Sequence, residues 1–198
     1  MTDPLITDGR MARRERNRTA VLDAVLELFG EDATNPKPEE VAARSGVSLR
    51  SVYRYFDDRE SLLRSAMEHH FARIRPLFRL EVGPDDSLDA RIDGLVAQRS
   101  KLYEAAAPVF RATIIRSHGS PILAERVRER RDGLARQAHD LFAVEIEAAG
   151  ARGPAVDAAI DVLTEFEAFD HLRRHRAMSV TDAEAVVATA LRSLFIPV

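Results

Sequence analysis

Residues 39–56 read EEVAARSGVSLRSVYRYF. Ala42 is small enough to let two helices cross, and Gly46, four positions on, supplies the left-handed backbone of a tight turn. Val52, six further, is a branched apolar residue for the inner side of a second helix. Val41, Val47 and Tyr55 are expected to fill the remaining inward positions. Ser48 has the hydroxyl of a helix N-cap. This spacing predicts a helix-turn-helix, whose second helix lies in the DNA major groove.

The outward positions follow from the inward ones. Ser48, Leu49, Arg50, Ser51, Tyr53 and Arg54 are expected to face away from the small core and toward DNA. Arg50 can donate two hydrogen bonds to a guanine edge, and Leu49 can meet a thymine methyl. Tyr53 and Ser48 suit phosphates, which fix register without reading sequence. The net charge of the chain is −3, yet Gly9 to Ala20 holds five arginines (Arg10, Arg13, Arg14, Arg16 and Arg18) against the single acid Glu15. That local charge of +4 is what a phosphate nearby would feel. Arg14 is the expected arm contact, to phosphate or the minor groove.

Ala42, Ser45-Gly46-Val47-Ser48, Val52-Tyr53, Tyr55-Phe56, Glu60 and Leu62 together resemble the DNA-binding domain of the tetracycline-repressor (TetR) family over residues 13–63. The resemblance implies a homodimer that binds double-stranded DNA at a palindromic operator. It implies a repressor, and a C-terminal domain whose small-molecule ligand releases the DNA. Two positions depart from the family pattern. Arg59 stands where lysine is usual and should still meet a phosphate. Lys37 stands where threonine or serine usually opens the second helix, so a charged contact replaces a hydroxyl one.

Around this motif the chain reads as all-α, with about nine helices. Alanine, leucine, arginine and glutamate dominate, and all favour helices. Val21, Val25, Leu28 and Phe29 line one face of a first helix from about Arg13 to Gly30. Pro36 and Pro38 bracket a loop, and Pro38 suits the first turn of the second helix with Glu39 and Glu40 at its positive end. A fourth helix starts near Asp58 and is kinked or ended by Pro76. Further helices are expected at about 87–106, 108–118, 121–149, 154–177 and 181–195. The expected organisation is a disordered arm over 1–12, a three-helix DNA-binding domain over 13–60, a connecting helix over 61–80, and a larger helical bundle for ligand binding and dimerisation over 81–198.

Helices 154–177 and 181–195 each carry apolar residues on two faces, so each needs two partners. Val162, Phe169, Val187, Leu191 and Leu194 are the expected dimer contacts. Leu102, Phe110, Ile114, Phe142 and Phe166 are candidates for an apolar ligand pocket. His171 and His175 stand one turn apart, with Glu167 a turn earlier. A solvated helix end explains them better than a metal site. No catalytic triad, phosphate loop or zinc-protease motif is present, so neither an enzyme nor a cofactor is expected. Cysteine is absent, the first 18 residues hold no hydrophobic signal core, so no signal peptide is expected, and no apolar run suits a membrane. A cytoplasmic, nucleoid-associated regulator is the expected setting. The alternatives are a ligand-binding enzyme or carrier, against which the complete motif argues, and a DNA-binding protein that needs no ligand.

Overall fold

A computed structural model describes residues 4–31 and 33–196. Ten α-helices follow one another, with no strand among the described residues. They are α1 (Pro4–Gly30), α2 (Pro38–Ser45), α3 (Leu49–Tyr55), α4 (Arg59–Ile74), α5 (Leu88–Ser117), α6 (Pro121–Leu141), α7 (Ala143–Ala148), α8 (Gly153–Thr164), α9 (Phe166–Asp170) and α10 (Val180–Leu194). The all-α class is as the composition predicts.

The chain forms two compact units. One holds residues 1–73 and 108–116; the other holds 74–107 and 117–198. The division therefore falls at Arg73/Ile74, and a late stretch of α5 joins the first unit. In that unit α1 packs on α2 and α3. Its buried face is Val21, Leu22, Val25, Leu28 and Phe29. Leu62, Leu63, Ala66 and Met67 of α4 are buried as well. The helix gives way to a 3-10 turn, Arg75–Phe78, because Pro76 has no N–H to continue the α pattern.

The first helix begins at Pro4 rather than near Arg13. The segment expected to be an unstructured arm is thus helical from Pro4, and residues 1–3 lie outside the described residues. Proline suits a first helical turn, and the alanine, methionine and arginine that follow favour continuation.

The second unit departs further from expectation. Two helices were expected on either side of Pro108, but α5 runs through it for 30 residues. An interior proline costs about 3 kcal/mol. Burying Val109 and Phe110 just beyond it contributes about 3–6 kcal/mol, so continuity wins. The reverse happens twice. The helix expected over 121–149 breaks at Phe142, and the one expected over 154–177 breaks at Glu165, whose backbone is extended. At the first break Arg91 Nη1 donates to the Leu141 carbonyl at 2.7 Å and to Glu145 at 2.8 Å. At the second, the Tyr103 hydroxyl donates to the Thr164 carbonyl at 2.7 Å. Distant donors satisfy carbonyls that a helix end would otherwise orphan.

The core of this unit joins Ile92, Leu95 and Val96 of α5 to Ala138 and Leu141 of α6. Phe142 between α6 and α7, Val156 and Ile160 of α8, and Val187, Ala188 and Leu191 of α10 complete it.

Candidate nucleic-acid interface

Local sequence builds the reading head. Lys37 caps α2, and its amide donates to the Glu40 carboxylate at 2.6 Å. Lysine has no acceptor to return that bond, so half of a capping box is made. Gly46 ends α2 with φ +68°. Ser48 then caps α3, its hydroxyl accepting from the Ser51 amide at 3.3 Å. Asp58 caps α4, accepting from the Ser61 amide at 2.7 Å. Val41, Val47 and Val52 are buried beneath α2 and α3. Phe56 fills the core position expected of Tyr55, and the Tyr55 ring is half-buried.

With that interior packed, Ser48, Arg50, Tyr53 and Arg54 are exposed along the start and outer side of α3. Tyr53 is 50% exposed, high for an aromatic side chain with nothing to lean on. Leu49 and Ser51 are half-buried. Ser51 also accepts from the Ser48 hydroxyl at 3.1 Å and from Arg54 at 3.4 Å. Lys37 is exposed at the start of α2. Arg59 is placed differently from a free phosphate contact. Its Nε donates to the Pro36 carbonyl at 3.0 Å, and its Nη2 bonds the Asn35 carbonyl.

Tyr55 organises the cations beside α3. The Arg14 guanidinium lies 6.0 Å from its ring centroid and that of Arg54 5.3 Å, while Arg18 lies 5.4 Å from the Phe56 ring. Such stacking orders long side chains at little desolvation cost. Burial pushes the Tyr55 phenol up, but hydrogen bonds from Arg54 and Asn17 outweigh it and leave the phenol below its usual range. Asn17 carries no motif signal, and Arg18 stands out in sequence only as one of the arginine cluster; their places beside Tyr55 and Phe56 appear only once α1 is laid against α3.

The expected pocket and dimer residues sit differently. Phe110 and Ile114 fall in the N-terminal unit, where Phe110 meets Phe71 at 6.0 Å. Leu102, Phe142 and Phe166 fall in the C-terminal unit. There Phe142 stacks on Phe195 at 5.2 Å and Phe166 meets Tyr103 edge-on at 5.6 Å. None of the five lines the small cavity of about 10 Å³ beside Arg99, Ser100, Tyr103, Thr164, Glu165 and Phe169. Of the expected dimer contacts, Phe169, Val187 and Leu191 are buried within their own unit, which leaves little of them on its surface. Leu194 is half-buried. Val162 is 66% exposed on α8, and Val186 of α10 is 40% exposed.

The His171 and His175 rings lie 5.4 Å apart. Glu167 is committed to Arg131. No cluster of three or more metal-ligating side chains occurs among the described residues. No helix among them is long and apolar enough to cross a membrane.

Residues 21–66 match the family model of bacterial regulatory proteins, tetR family. The chain is 38% identical over 69 residues to the HTH-type transcriptional repressor LfrR of Mycolicibacterium smegmatis, covering 35% of this chain and 34% of that protein. It is 31% identical over 116 residues to the HTH-type transcriptional regulator BetI of Klebsiella pneumoniae, covering 56% of this chain and 58% of that one. The matched stretches thus span a third and somewhat over half of these relatives. A transcriptional regulator from Rhodococcus sp. Rha1 shares the fold with TM-score 0.66 at 18% identity, over 93% of this chain and 99% of that one.

Proposed function

Because the chain belongs to the tetR family of bacterial regulatory proteins, we propose that it is a DNA-binding transcriptional regulator. Its reading helix is α3, and it represses from a palindromic operator as a homodimer. The observation that carries this is the polarity of α3. Val52 is buried while Ser48, Arg50, Tyr53 and Arg54 are exposed, which leaves base-reading and phosphate-holding groups on one accessible side. Lys37 and Arg14 extend that side with charge. The repressor reading is supported by the likeness to LfrR, which is named as one.

Two-fold pairing is supported by the exposed valines, Val162 and Val186, on the mutually packed helices α8 and α10. A dimer places two reading helices about one duplex turn apart, which a palindrome mirrors. Release by a small apolar ligand would act by favouring a dimer whose helices no longer match that spacing. The small cavity beside Tyr103 and Glu165, at the α8–α9 break, is where such a ligand would have to open the C-terminal unit.

The test is selection of duplexes from a randomised pool, followed by mobility shift across salt concentrations. The wild type should enrich a palindrome. Arg50→Ala should relax preference at one base pair per half-site, whereas Lys37→Ala should weaken all duplexes alike and reduce the salt slope by about 1. Failure to enrich any duplex sinks the DNA reading. A light-scattering mass of one chain at micromolar concentration removes the dimer.

A further inference from the structure

The loop between α1 and α2 holds Pro36 and has no regular structure over residues 33–37, yet α2 starts from it at Pro38. Two arginines hold it. Arg59, in the first turn of α4, binds the Asn35 and Pro36 carbonyls. Arg116, near the end of α5, donates from Nη1 to Asn35 Oδ1 at 2.8 Å and from Nη2 to Glu60 Oε2 at 2.7 Å. The Arg116 side chain is only 13% exposed, against 61% for Glu60. Its partners stand 81 and 56 positions earlier in the chain.

An exposed ion pair between single elements contributes little. Arg116 differs because its rigid fork spends one arm on each of two elements, and because the guanidinium is largely withdrawn from water. It thereby couples the loop that launches α2 to the first turn of α4. Those are two helix starts of the head, the first of which leaves Lys37 exposed.

We infer that Arg116 is a positioning residue of the reading head: without touching DNA, it sets the α1–α2 loop and the start of α4 in register for binding. The inference rests on the DNA-binding reading above. It also makes the last turns of α5 part of the head, so that residues 1–73 do not contain the whole of it.

The test uses the full chain and a duplex enriched by the wild type from a randomised pool. Arg116→Met, which keeps the apolar stem, is expected to weaken binding about tenfold. The slope of log affinity against log salt should stay unchanged, because a lost phosphate contact would lower it by about 0.9. Arg116→Lys keeps the charge without the fork and should fail to restore affinity. Amide exchange in the free protein should rise about severalfold over residues 33–41 in Arg116→Met. If that variant does not fold, Glu60→Gln, a change at an exposed carboxyl, should show a weaker loss of about threefold with the same unchanged slope.

Wild-type affinity in both Arg116→Met and Glu60→Gln overturns the inference, as does full restoration by lysine. A slope lowered by about 1 makes Arg116 a direct phosphate contact instead. Unchanged exchange at 33–41 in Arg116→Met refutes the clamp even if DNA binds. If the wild type enriches no duplex, the DNA reading falls, and the exchange measurement still decides whether Arg116 holds the loop.

Discussion

The two units spend their polar residues in opposite ways. Among the described residues, the N-terminal unit buries one polar side chain, Thr113, while the C-terminal unit buries Arg91, Gln98, Arg99, Ser100 and Thr164. The head keeps an apolar interior and leaves Arg14, Arg50 and Arg54 at the surface, with Arg116 largely withdrawn. The C-terminal unit places cations inside. Arg99 is 3% exposed and its hydrogen bonds go to neutral acceptors, Gln98, Gln137 at 2.7 Å and the Leu134 carbonyl at 2.9 Å. Burial accordingly pulls the Arg99 pKa down, and that of Arg130 with it. The lesson concerns where each unit is specified. Neighbours in sequence define the reading helices of the head through caps at Ser48 and Asp58 and a turn at Gly46, with Arg116 as the long-range exception. Side chains far apart in sequence define the other unit.

The contrast can be broken most strongly at Phe142. It is fully buried, stacked on Phe195 and 5.7 Å beneath the Arg91 guanidinium. Phe142→Ala should cost about 3–5 kcal/mol, seen as an early unfolding transition in calorimetry. If the units are specified separately, amide exchange of α1–α3 should be little changed. Loss of protection throughout α1–α3 would show that the head depends on that core.

Gly46→Ala probes the local side. A Cβ there meets no atom within 4 Å, so the penalty is backbone strain at φ +68° alone. About 1–2 kcal/mol of stability should be lost by urea unfolding. Operator affinity should fall as well, because α3 is launched from this turn. An unchanged midpoint would mean that the turn is not held left-handed.

A smaller effect is expected from pH. Burial, then the neighbouring Glu167, pushes the Glu165 carboxyl from 4.5 to about 7. A carboxyl with a raised folded pKa contributes stability that is present below about 4.5 and is lost as pH rises through about 7. Glu145 runs the other way. The hydrogen bond from Arg91 lowers its pKa, so its contribution is present above its ordinary 4.5 and is lost on acidification. Part of the Glu165 carboxyl meets solvent, which weakens the dependence. Melting curves of Glu165→Gln should be flatter than wild type between about pH 5 and 8. Parallel curves would remove Glu165 as the source.

The least effect is expected at Arg44. Its bonds to Glu31 at 2.9 Å and Glu27 at 3.5 Å lie on the surface of the head. The hydrogen bond to Glu31 raises the Arg44 pKa, and the Glu31 carboxyl is lowered in turn. Screening leaves such pairs little weight. The melting temperature of Arg44→Ala should match wild type within error, and a clear drop would show that the head also relies on long-range ion pairs.

Residues 39–56 by themselves determined the turn, the caps and the exposed side of α3. Each depends on a residue's own backbone preference or on partners within one helical turn, and such short-range physics is written in spacing. The same logic misplaced Tyr55, because period alone does not choose between adjacent aromatics when α1 supplies the cover. Only tertiary structure carried α5 through Pro108, broke the chain at Phe142 and Glu165, buried Val187 and Leu191 in their own unit, and brought Arg116 to Asn35 and Glu60. Those outcomes turn on burial and on donors arriving from 50 to 81 positions away. Local propensity is worth tenths of a kcal/mol per residue, and it yields where packing and buried hydrogen bonds contribute several.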